Sequence, residues 1–523
     1  MVVILGKLAL LVAFAVLFVV FREVYIRWEL IHLAKKHRTK PPTRLLDSFP
    51  LGIANFRKAR QASVRNETCD FMMNLFKSGH DTLHDEVMGL NRIVTRDPEN
   101  VKAVLATNFK DFSLGLRHGA FYPLLGDGIF TLSGEGWKHS RALLRPQFSR
   151  QQVSQLNSLN EHVDQLIRNF KRDSNQDNGR GFGFFDAQVY FHNLTLDTAT
   201  EFLFGESVDS LSNGNRQVQG PEIKVTAQEF AECFNGSLKT LRLRIQLGKL
   251  SFLANPDHFK HEVKICHNFV DYFVHKTLAE TEKEKADSGD QEFSYIFIEQ
   301  LAKQTRDPKV IRDQAFNILL AGRDTTASLL SFALFILARD KRVWNKLRDE
   351  VLTTFGNDSS KITFESLKRS TYLTNTINEV LRLFPIVPSN SRMAIADTIL
   401  PRGGGEDESS PVFVKKGTTV SYVVYVMQRT KKYWGEDAED FRPERWEEGK
   451  LHMWDYLPFN GGPRICLGQQ FALTEISFTL VRILQTFRDV EPHPDATPSF
   501  KDLRGLHSLT LSVAEGVWLR LIE

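Results

Sequence analysis

The stretch that decides the fold reads FNGGPRICLG and runs from Phe459 to Gly468. The residues at 461–463, two glycines and a proline, disfavour regular structure and let the backbone pass close to a flat ligand. Cys466 follows at the predicted start of a helix, where unpaired N–H groups and the helix dipole favour a thiolate. Arg464 adds a planar cation suited to a carboxylate. A thiolate presented in this way can ligate a haem iron and favours O–O cleavage.

The spacing of this stretch is as informative as its composition. It satisfies F-x-x-G-x-R-x-C-x-G at Phe459, Gly462, Arg464, Cys466 and Gly468. The pattern resembles the haem-binding signature of the cytochromes P-450. The resemblance implies haem b as cofactor, Cys466 as the axial ligand of its iron and the other four residues as part of its binding segment. The alternative, a buried structural cysteine, leaves the ordered glycines and Arg464 unexplained.

A second motif, AGRDTT, occupies residues 321–326. Glycine inside a helix costs about 1 kcal/mol relative to alanine, so we expect a helix over about 309–339 that is interrupted near Ala321 and Gly322. Thr325 can donate to a carbonyl one turn earlier and bend the helix. Asp324 beside it supplies an acid next to an alcohol, a pair suited to proton delivery. The string is similar to the family's oxygen-activation helix, which implies catalytic roles for Asp324 and Thr325.

Cationic side chains suited to haem propionates are the next candidates. Trp137 and Arg141 are four residues apart and therefore share one helical face, where an arginine beside an indole N–H suits a propionate. The alternative for this pair is a simple aromatic–arginine stack. By the resemblance, Arg392 is a further propionate ligand, and His118 is another possible partner.

Glu379 and Arg382 are three residues apart on a predicted helix over 374–384. A surface pair at this spacing contributes only about 0.2–0.5 kcal/mol. The resemblance instead implies a buried structural pair joined by Arg445, which holds the cysteine loop and takes no part in the chemistry.

The first residues differ in character from the rest. Residues 1–21 are apolar except Gly6 and Lys7, about long enough to cross a bilayer. Basic residues follow closely, which places the downstream side in the cytosol. A cleaved signal peptide is the alternative, but the apolar run is long and the basic cluster comes after it. We therefore expect a transmembrane anchor at 1–21, a basic, proline-containing linker at 22–50 and a catalytic domain at 51–523, facing the cytosol from the endoplasmic reticulum membrane.

The remaining sequence is that of an ordinary globular protein. Helical periodicity dominates, and strand-like pieces such as 412–414 and 418–426 are short, so the predicted class is mainly α with a minor β component, the cytochrome P-450 fold. The net charge of +4, from 67 basic and 63 acidic residues, gives no support for nucleic-acid binding. The four cysteines are scattered without a CxxC pair, which favours reduced thiols.

The expected pocket is lined from 113–130, 316–320 and 386–388, which are apolar and rich in phenylalanine. Residues 382–394, 400–405 and 124–141 resemble the yeast and fungal n-alkane and fatty-acid hydroxylases, which implies attack on terminal or near-terminal carbons. Three alternatives stay open. They are a monooxygenase of another hydrophobic compound such as a sterol or xenobiotic, a non-oxygenating haem-thiolate isomerase of lipid hydroperoxides, and a haem-binding protein without turnover.

The source of electrons follows from what the chain lacks. No G-x-G-x-x-G follows a predicted strand, so the electrons for O2 activation are expected to come from a separate protein. The resemblance implies NADPH–cytochrome P-450 reductase, with Lys431, Lys432 and Arg442 as candidate contacts.

Overall fold

The computed structural model describes residues 2–45, 51–87, 89–154, 156–212, 217–284, 296–449 and 453–523. In these ranges the helices are α1 Val2–Lys36, α2 Ile53–Val64, α3 Thr68–Leu75, α4 Pro98–Lys102, α5 Arg117–Leu125, α6 Gly134–Leu144, α7 Arg150–Val153, α8 Asn157–Asp173, α9 Ala187–Phe204, α10 Ala227–Leu247, α11 Asp257–Glu284, α12 Phe297–Ala302, α13 Pro308–Leu337, α14 Lys341–Phe355, α15 Phe364–Arg369, α16 Thr371–Leu383, α17 Val424–Met427, α18 Lys431–Trp434 and α19 Gln469–Thr486.

The strands are short. They are β1 Thr43–Arg44, β2 Thr82–Val87, β3 Leu90–Thr95, β4 Phe112–Ser113, β5 Phe185–Asp186, β6 Gln217–Gln219, β7 Lys224–Thr226, β8 Asn390–Ala394, β9 Thr398–Gly404, β10 Ser410–Val414, β11 Thr419–Tyr422, β12 Asp489–Pro492, β13 Gly505–His507, β14 Leu511–Val513 and β15 Trp518–Ile522. The predicted class, mainly helical with a minor sheet component, is confirmed.

The chain divides into two compact units that are interleaved along the sequence. Unit 1 comprises Met1–Gly115, Ser389–Gly435 and His452–Ile465. Unit 2 comprises Leu116–Pro388, Glu436–Leu451 and Cys466–Glu523. The boundaries expected near residues 21 and 50 stay predictions; residues 1 and 46–50 lie outside the described ranges.

Unit 1 is built on a mixed sheet with strand order β1-β2-β3-β11-β8-β4. β11 runs parallel to β3 and antiparallel to β8, which places Val420 between Ile93 and Arg392. β10 confirms the strand predicted at 412–414, and β11 confirms the start of the one predicted at 418–426. The chain then leaves the sheet after Tyr422 and forms α17, so the second half of that prediction is wrong.

Helix α1 continues without a break past residue 21 and packs its C-terminal half against the sheet of unit 1, the unit to which α1 itself belongs. Ion pairs lie where it reaches the sheet: Arg22 Nη2 is 2.5 Å from Glu86 Oε1, and Arg44 Nη1 is 2.6 Å from Glu23 Oε2. Glu23 and Glu86 are buried, at 6% and 0% exposure. Further along, the His37 ring stacks on Phe413. The apolar side chains exposed along the N-terminal half include Leu10, Leu11, Phe14, Leu17, Phe18 and Phe21.

Unit 2 is arranged around α13, which packs against α9, α11 and α19. The helix begins at Pro308, where the Asp307 side chain accepts a hydrogen bond from Lys309 N. The interruption expected near residues 321–322 is absent. Packing buries nearly the whole helix, and this outweighs the cost of about 1 kcal/mol for one internal glycine. In the part of the chain that the structure describes, α13 is also the helix long and apolar enough to span a membrane, but 83% of its most apolar window is buried inside the protein.

Candidate functional site

The FNGGPRICLG stretch crosses from unit 1 to unit 2 between Ile465 and Cys466. In unit 1, Gly462 has φ of +67°, and a Cβ added there would lie 1.9 Å from the Leu105 carbonyl oxygen. Only glycine fits this close approach. A short 3-10 turn, Gly462–Arg464, follows and closes through Ile465 N to Gly462 O at 3.0 Å. Phe459 is half-buried.

In unit 2, Cys466 lies three residues before α19 begins at Gln469. Its side chain is exposed, yet protein encloses it on its other sides. This burial raises the pKa of the Cys466 thiol, while a hydrogen bond from the Gly468 N–H and the charge of Arg141 lower it. The net effect is a rise, so the protein alone favours the thiol form, and a bound metal cation would favour the thiolate. A Cβ added at Gly468 would lie 3.5 Å from Phe148 Cε1, an ordinary contact.

Helix α6 brings Trp137 and Arg141 onto one face, as their spacing predicted. The Arg141 guanidinium lies 5.9 Å from the centre of the buried Trp137 ring. Burial lowers the pKa of Arg141, and the neighbouring Cys466 thiolate raises it. The structure therefore places this cation within electrostatic range of the cysteine.

Arg392, on β8, is 3% exposed and only partly satisfied by protein. Its Nη1 donates to Ser391 O at 2.8 Å and to Asn390 Oδ1 at 3.2 Å, whereas its buried Nε has no acceptor among the residues that the structure describes. A buried guanidinium N–H without an acceptor is costly and fits an anionic ligand.

His118, on α5, has a different partner from the one expected. Its Nε2 lies 2.9 Å from Asp127 Oδ1, and the side chain is about half exposed. Its assignment to a propionate stays a prediction, and the structure gives it a carboxylate partner in unit 2 already.

One face of α13 is open. Between Asp313 and Leu337 every residue is buried except Ala321, Gly322 and Thr325. The Thr325 hydroxyl donates to Ala321 O at 2.6 Å, which is the bond predicted from the sequence. Because its one hydrogen is used in this bond, the Thr325 oxygen is left as an acceptor towards the open face.

Asp324 does not form the acid–alcohol pair expected from the sequence. Its Oδ1 accepts from Arg323 Nη1 at 2.9 Å, and both side chains are buried. Burial raises the pKa of Asp324, while the charge and hydrogen bond of Arg323 lower it, with a net rise. Arg323 also donates to Asn235 Oδ1 at 2.9 Å. The AGRDTT motif therefore contains a buried ion pair that sequence reasoning missed.

The Glu379–Arg382 pair is fully buried, and the reading as a surface pair is wrong. Arg382 donates to both Glu379 oxygens, from Nε at 2.9 Å and Nη2 at 2.8 Å. Arg445 Nε donates to Glu379 Oε1 at 3.3 Å and its Nη1 to Asp437 Oδ1 at 3.0 Å. Trp446 Nε1 donates to Glu379 Oε2 at 3.1 Å. These contacts fix the segment from residue 437 to 446, and the expected role of the cluster in holding the cysteine loop stays a prediction.

Glu475, on α19, is a second residue that the sequence did not indicate. It is 3% exposed and accepts a hydrogen bond from Thr198 Oγ1 on α9 at 2.6 Å. Burial raises its pKa to about 7, against hydrogen bonds from Thr198 and Thr326 that lower it. Glu475 thus links α19, the helix that follows Cys466, to two other helices. It contacts α9 through Thr198 and α13 through Thr326, the neighbour of Thr325.

In each unit, these residues suit part of a haem group. In unit 1, Gly462 lies where only glycine fits, and the buried Arg392 Nε has no acceptor among the described residues. In unit 2, the Cys466 sulfur lies within electrostatic range of the Arg141 cation. These four residues are among those that the sequence assigned to haem binding.

Comparison with known proteins agrees with this chemistry. The Cytochrome P450 family profile matches residues 49–513. Cytochrome P450 52E1 of Candida apicola is 48% identical over 531 residues, covering 99% of this chain and 98% of the relative. Cytochrome P450 52E2 of the same organism is 49% identical, covering 94% and 93%. Cytochrome P450 52-E3 of Starmerella bombicola is 50% identical, covering 91% of both chains. The chain belongs to the cytochrome P450 family, and it is a haem-dependent monooxygenase.

Proposed function

We propose that this enzyme inserts one oxygen atom of O2 into a terminal or near-terminal C–H bond of a long-chain fatty acid or n-alkane. The open face of α13 carries this proposal. On a helix that is otherwise buried over Asp313–Leu337, Ala321, Gly322 and Thr325 are partly exposed, which suits the binding of O2 and of the end of a narrow chain beside the Thr325 oxygen.

The proposed cofactor is haem b, with Cys466 as its axial ligand. When bound, haem supplies the iron that activates O2 and oxidises the C–H bond. The residues proposed to hold it are Phe459, Gly462, Arg464 and Arg392 from unit 1, and Cys466, Gly468, Trp137, Arg141 and His118 from unit 2.

Thr325 and Asp324 are the proposed catalytic residues, in different roles. Thr325, with its hydrogen bonded to Ala321 O, can accept a hydrogen bond and so hold a water molecule or a protonated group on the open face. Asp324 has a raised pKa, which favours uptake of a proton. To pass that proton to the open face, its carboxylate must first leave Arg323. Arg323 therefore controls when the acid is available.

The apolar pocket lining expected at 316–320 stays a prediction. Of the lining expected at 316–320, Phe316 and Leu319 are completely buried, and Phe316 packs near Phe234 and His267. These side chains form core. The substrate class is supported instead by the resemblance to alkane and fatty-acid hydroxylases and by the small residues at the open face.

A cytochrome P450 monooxygenase of this type receives electrons from a redox partner, which we propose is NADPH–cytochrome P450 reductase. We further propose that α1 anchors the enzyme in the endoplasmic reticulum membrane, with the C-terminal half of α1 in the cytosol.

Two of the candidate reductase contacts already form ion pairs within the protein. Lys432 lies 2.9 Å from Asp81, and Arg442 lies 2.7 Å from Asp437. Their charges are partly compensated, so neither is a strong docking site alone.

The test is turnover of the full-length enzyme with the reductase, NADPH and a panel of fatty acids and n-alkanes. We expect terminal or near-terminal alcohols, with O2 and NADPH consumed in proportion to product. Thr325→Ala and Asp324→Asn should keep haem content but divert reducing equivalents from product to peroxide. Thr353→Ala, exposed on α14, is the control; Thr326→Ala is unsuitable because Thr326 bonds to Glu475.

The outcomes separate the alternatives. Rearranged lipid hydroperoxide without NADPH use would indicate an isomerase, and bound haem without any turnover would indicate a binding protein. Hydroxylation of a sterol or xenobiotic instead of these chains would overturn the substrate class. Unchanged coupling in both variants would remove Thr325 and Asp324 from catalysis.

A further inference from the structure

The ion pair of Arg323 with Asp324 uses one edge of the arginine side chain. Arg323 Nη1 donates to Asn235 Oδ1 and to Asp324 Oδ1, each at 2.9 Å. The buried Arg323 Nε has no acceptor among the described residues. Its N–H lies on a different edge of the planar guanidinium from Nη1, so these two acceptors do not serve it. A buried N–H of a charged group is costly to leave unpaired, so this edge fits a further acceptor.

A second buried nitrogen of this kind belongs to His192, on α9. The residue is partly exposed, but its Nδ1 is buried and has no hydrogen-bond partner in the part of the chain that the structure describes. Burial and the charge of Arg323 lower the pKa of His192 to about 3. The ring is therefore neutral at physiological pH, and a neutral imidazole can present the lone pair of Nδ1 as an acceptor.

The packing of α9 on α13 brings these two side chains together. Thr195 lies three residues after His192, on the same face of α9, and its hydroxyl donates to Arg323 O at 2.8 Å. A Cβ added at Gly322 would lie 3.9 Å from Ala199 Cβ, so the two helices approach closely here. His192 also lies within electrostatic range of Arg323. A buried donor and a buried acceptor therefore lie across the same helix contact.

A water molecule has the hydrogen-bonding capacity that this pair requires. It can accept from the Arg323 Nε–H and donate to the His192 Nδ1 at the same time. Buried waters typically form about three hydrogen bonds to polar groups that would otherwise be unpaired. The Thr195 oxygen, whose hydrogen is used in the bond to Arg323 O, can accept the second hydrogen of the water.

Among the described residues, the anion that pairs with Arg323 is Asp324. The other polar groups near this part of α13 are the Asn235 amide on α10, the His192 ring on α9, the Cys266 thiol on α11 and the Glu475 carboxyl on α19. Burial raises the pKa of the Cys266 thiol, which keeps it neutral. The Glu475 carboxyl accepts from Thr198 on α9. A shift of Arg323 towards His192 is therefore a shift from an anion to a neutral site.

We propose that His192 Nδ1 and Arg323 Nε bind one water molecule between them, and that His192 is thereby a positioning residue for Asp324. The water gives the guanidinium an attachment that does not involve Asp324. Arg323 can then turn away from Asp324 and stay hydrogen-bonded, which frees the carboxyl to take up a proton and pass it on. The water site stands without the proposed function, whereas its effect on turnover rests on the proposed catalytic role of Asp324.

The positioning role is tested by titrating Asp324 in the haem-loaded full chain. The titration is followed by infrared absorption of the protonated carboxyl, assigned with Asp324→Asn. His192→Leu removes the acceptor, so Arg323 stays on Asp324 and favours the carboxylate. We expect the midpoint of the titration to fall by about one pH unit, as for a carboxyl held closer to a cation.

Two variants accompany this measurement. His192→Asn keeps an oxygen near the position of Nδ1 and should leave the midpoint unchanged. His275→Leu, exposed on α11, is the control and should also leave it unchanged. An unchanged midpoint in His192→Leu, or an equal fall in His192→Asn, would overturn the positioning role. If His192→Leu does not fold, His192→Phe removes the same acceptor and keeps a ring.

The water itself is tested by a crystal structure of the haem-loaded full chain in detergent. We expect one water within about 2.7–3.2 Å of both Arg323 Nε and His192 Nδ1, and its loss in His192→Leu. An anion in that position, a direct contact between the two side chains, or no ordered molecule between them would overturn the site.

Turnover of dodecanoate with the reductase measures the consequence for the reaction. Above the midpoint, a fall of one pH unit lowers the protonated fraction of Asp324 about tenfold. In His192→Leu we therefore expect kcat to fall by up to about tenfold and peroxide to increase, with KM unchanged. A lower midpoint with unchanged kcat and coupling would overturn the effect on turnover. Failure of the wild-type enzyme to oxidise any fatty acid or alkane would refute the proposed substrate class, while the titration and the crystal structure would still decide on His192.

Discussion

Replacing Glu475 with glutamine should change how stability depends on pH, and the size of the change follows from its surroundings. Burial raises the pKa of Glu475 from 4.5 to about 7 in the folded protein. Between these values the folded state holds a proton that the unfolded state has released, so the free energy of unfolding falls as pH rises. One pH unit of pKa difference corresponds to about 1.4 kcal/mol. The full effect of this residue is therefore about 3 kcal/mol, complete above pH 7.

Glutamine keeps the shape and does not titrate; its Oε1 can accept from the Thr198 hydroxyl, and its Nε2 can donate to the Thr326 hydroxyl. The two proteins should be equally stable near pH 4.5, and the Glu475→Gln variant should be more stable by about 3 kcal/mol at pH 8. The measurement is denaturant unfolding followed by circular dichroism from pH 4.5 to 8. The difference between the proteins is the quantity to compare, because His162 titrates as well. Burial lowers its pKa and the bond to Glu201 raises it, with a net rise.

Glu161→Gln, on the exposed face of α8, is the control and should reproduce the wild-type dependence. Parallel curves for wild type and Glu475→Gln would refute the reasoning, because they would mean that Glu475 is equally protonated in both states. A variant less stable at every pH would show instead that the amide does not replace the carboxyl in its bonds.

Two further predictions concern the cysteine segment. Cys466→His should abolish the red-shifted ferrous–CO absorption band that thiolate ligation produces, and all turnover with it, whereas Cys233→Ser should keep both. A normal thiolate spectrum in the Cys466 variant would exclude this residue as the ligand. Gly462→Ala should lower the free energy of unfolding by at least about 2 kcal/mol because its Cβ would lie 1.9 Å from Leu105 O. Gly468→Ala should lower the free energy of unfolding by less than about 1 kcal/mol, since the added Cβ would lie 3.5 Å from the Phe148 side chain, an ordinary contact distance. Equal losses of unfolding free energy in the two variants would contradict this distinction.

Local chemistry was predictable from the sequence. The Thr325 bond to Ala321 O spans one helical turn, so its geometry is set by residues close in the chain. The Trp137–Arg141 stack and the Glu379–Arg382 pair are likewise contacts within one helix. In each case the spacing determines which side chains meet.

Contacts between distant segments were not predictable in this way. Thr198 and Glu475 are 277 residues apart, and Thr195 and Arg323 are 128 apart. Their meeting depends on how the helices pack, which periodicity alone does not give. The unbroken path of α13 through Gly322 has the same origin, because tertiary burial overrides a local preference worth about 1 kcal/mol.

The uninterrupted course of α1 has a mechanical consequence. Its 35 residues make a rod about 52 Å long, of which a bilayer core accommodates about 30 Å. The remainder is fastened to unit 1 by the pairs of Arg22 with Glu86 and of Glu23 with Arg44. With α1 as the membrane anchor, tilt and rotation of the rod are transmitted directly to unit 1. Unit 1 then cannot rotate freely above the lipid. A partner diffusing in the same membrane therefore meets unit 1 in a narrow range of orientations, and the diffusional search for a productive encounter is reduced largely to two dimensions.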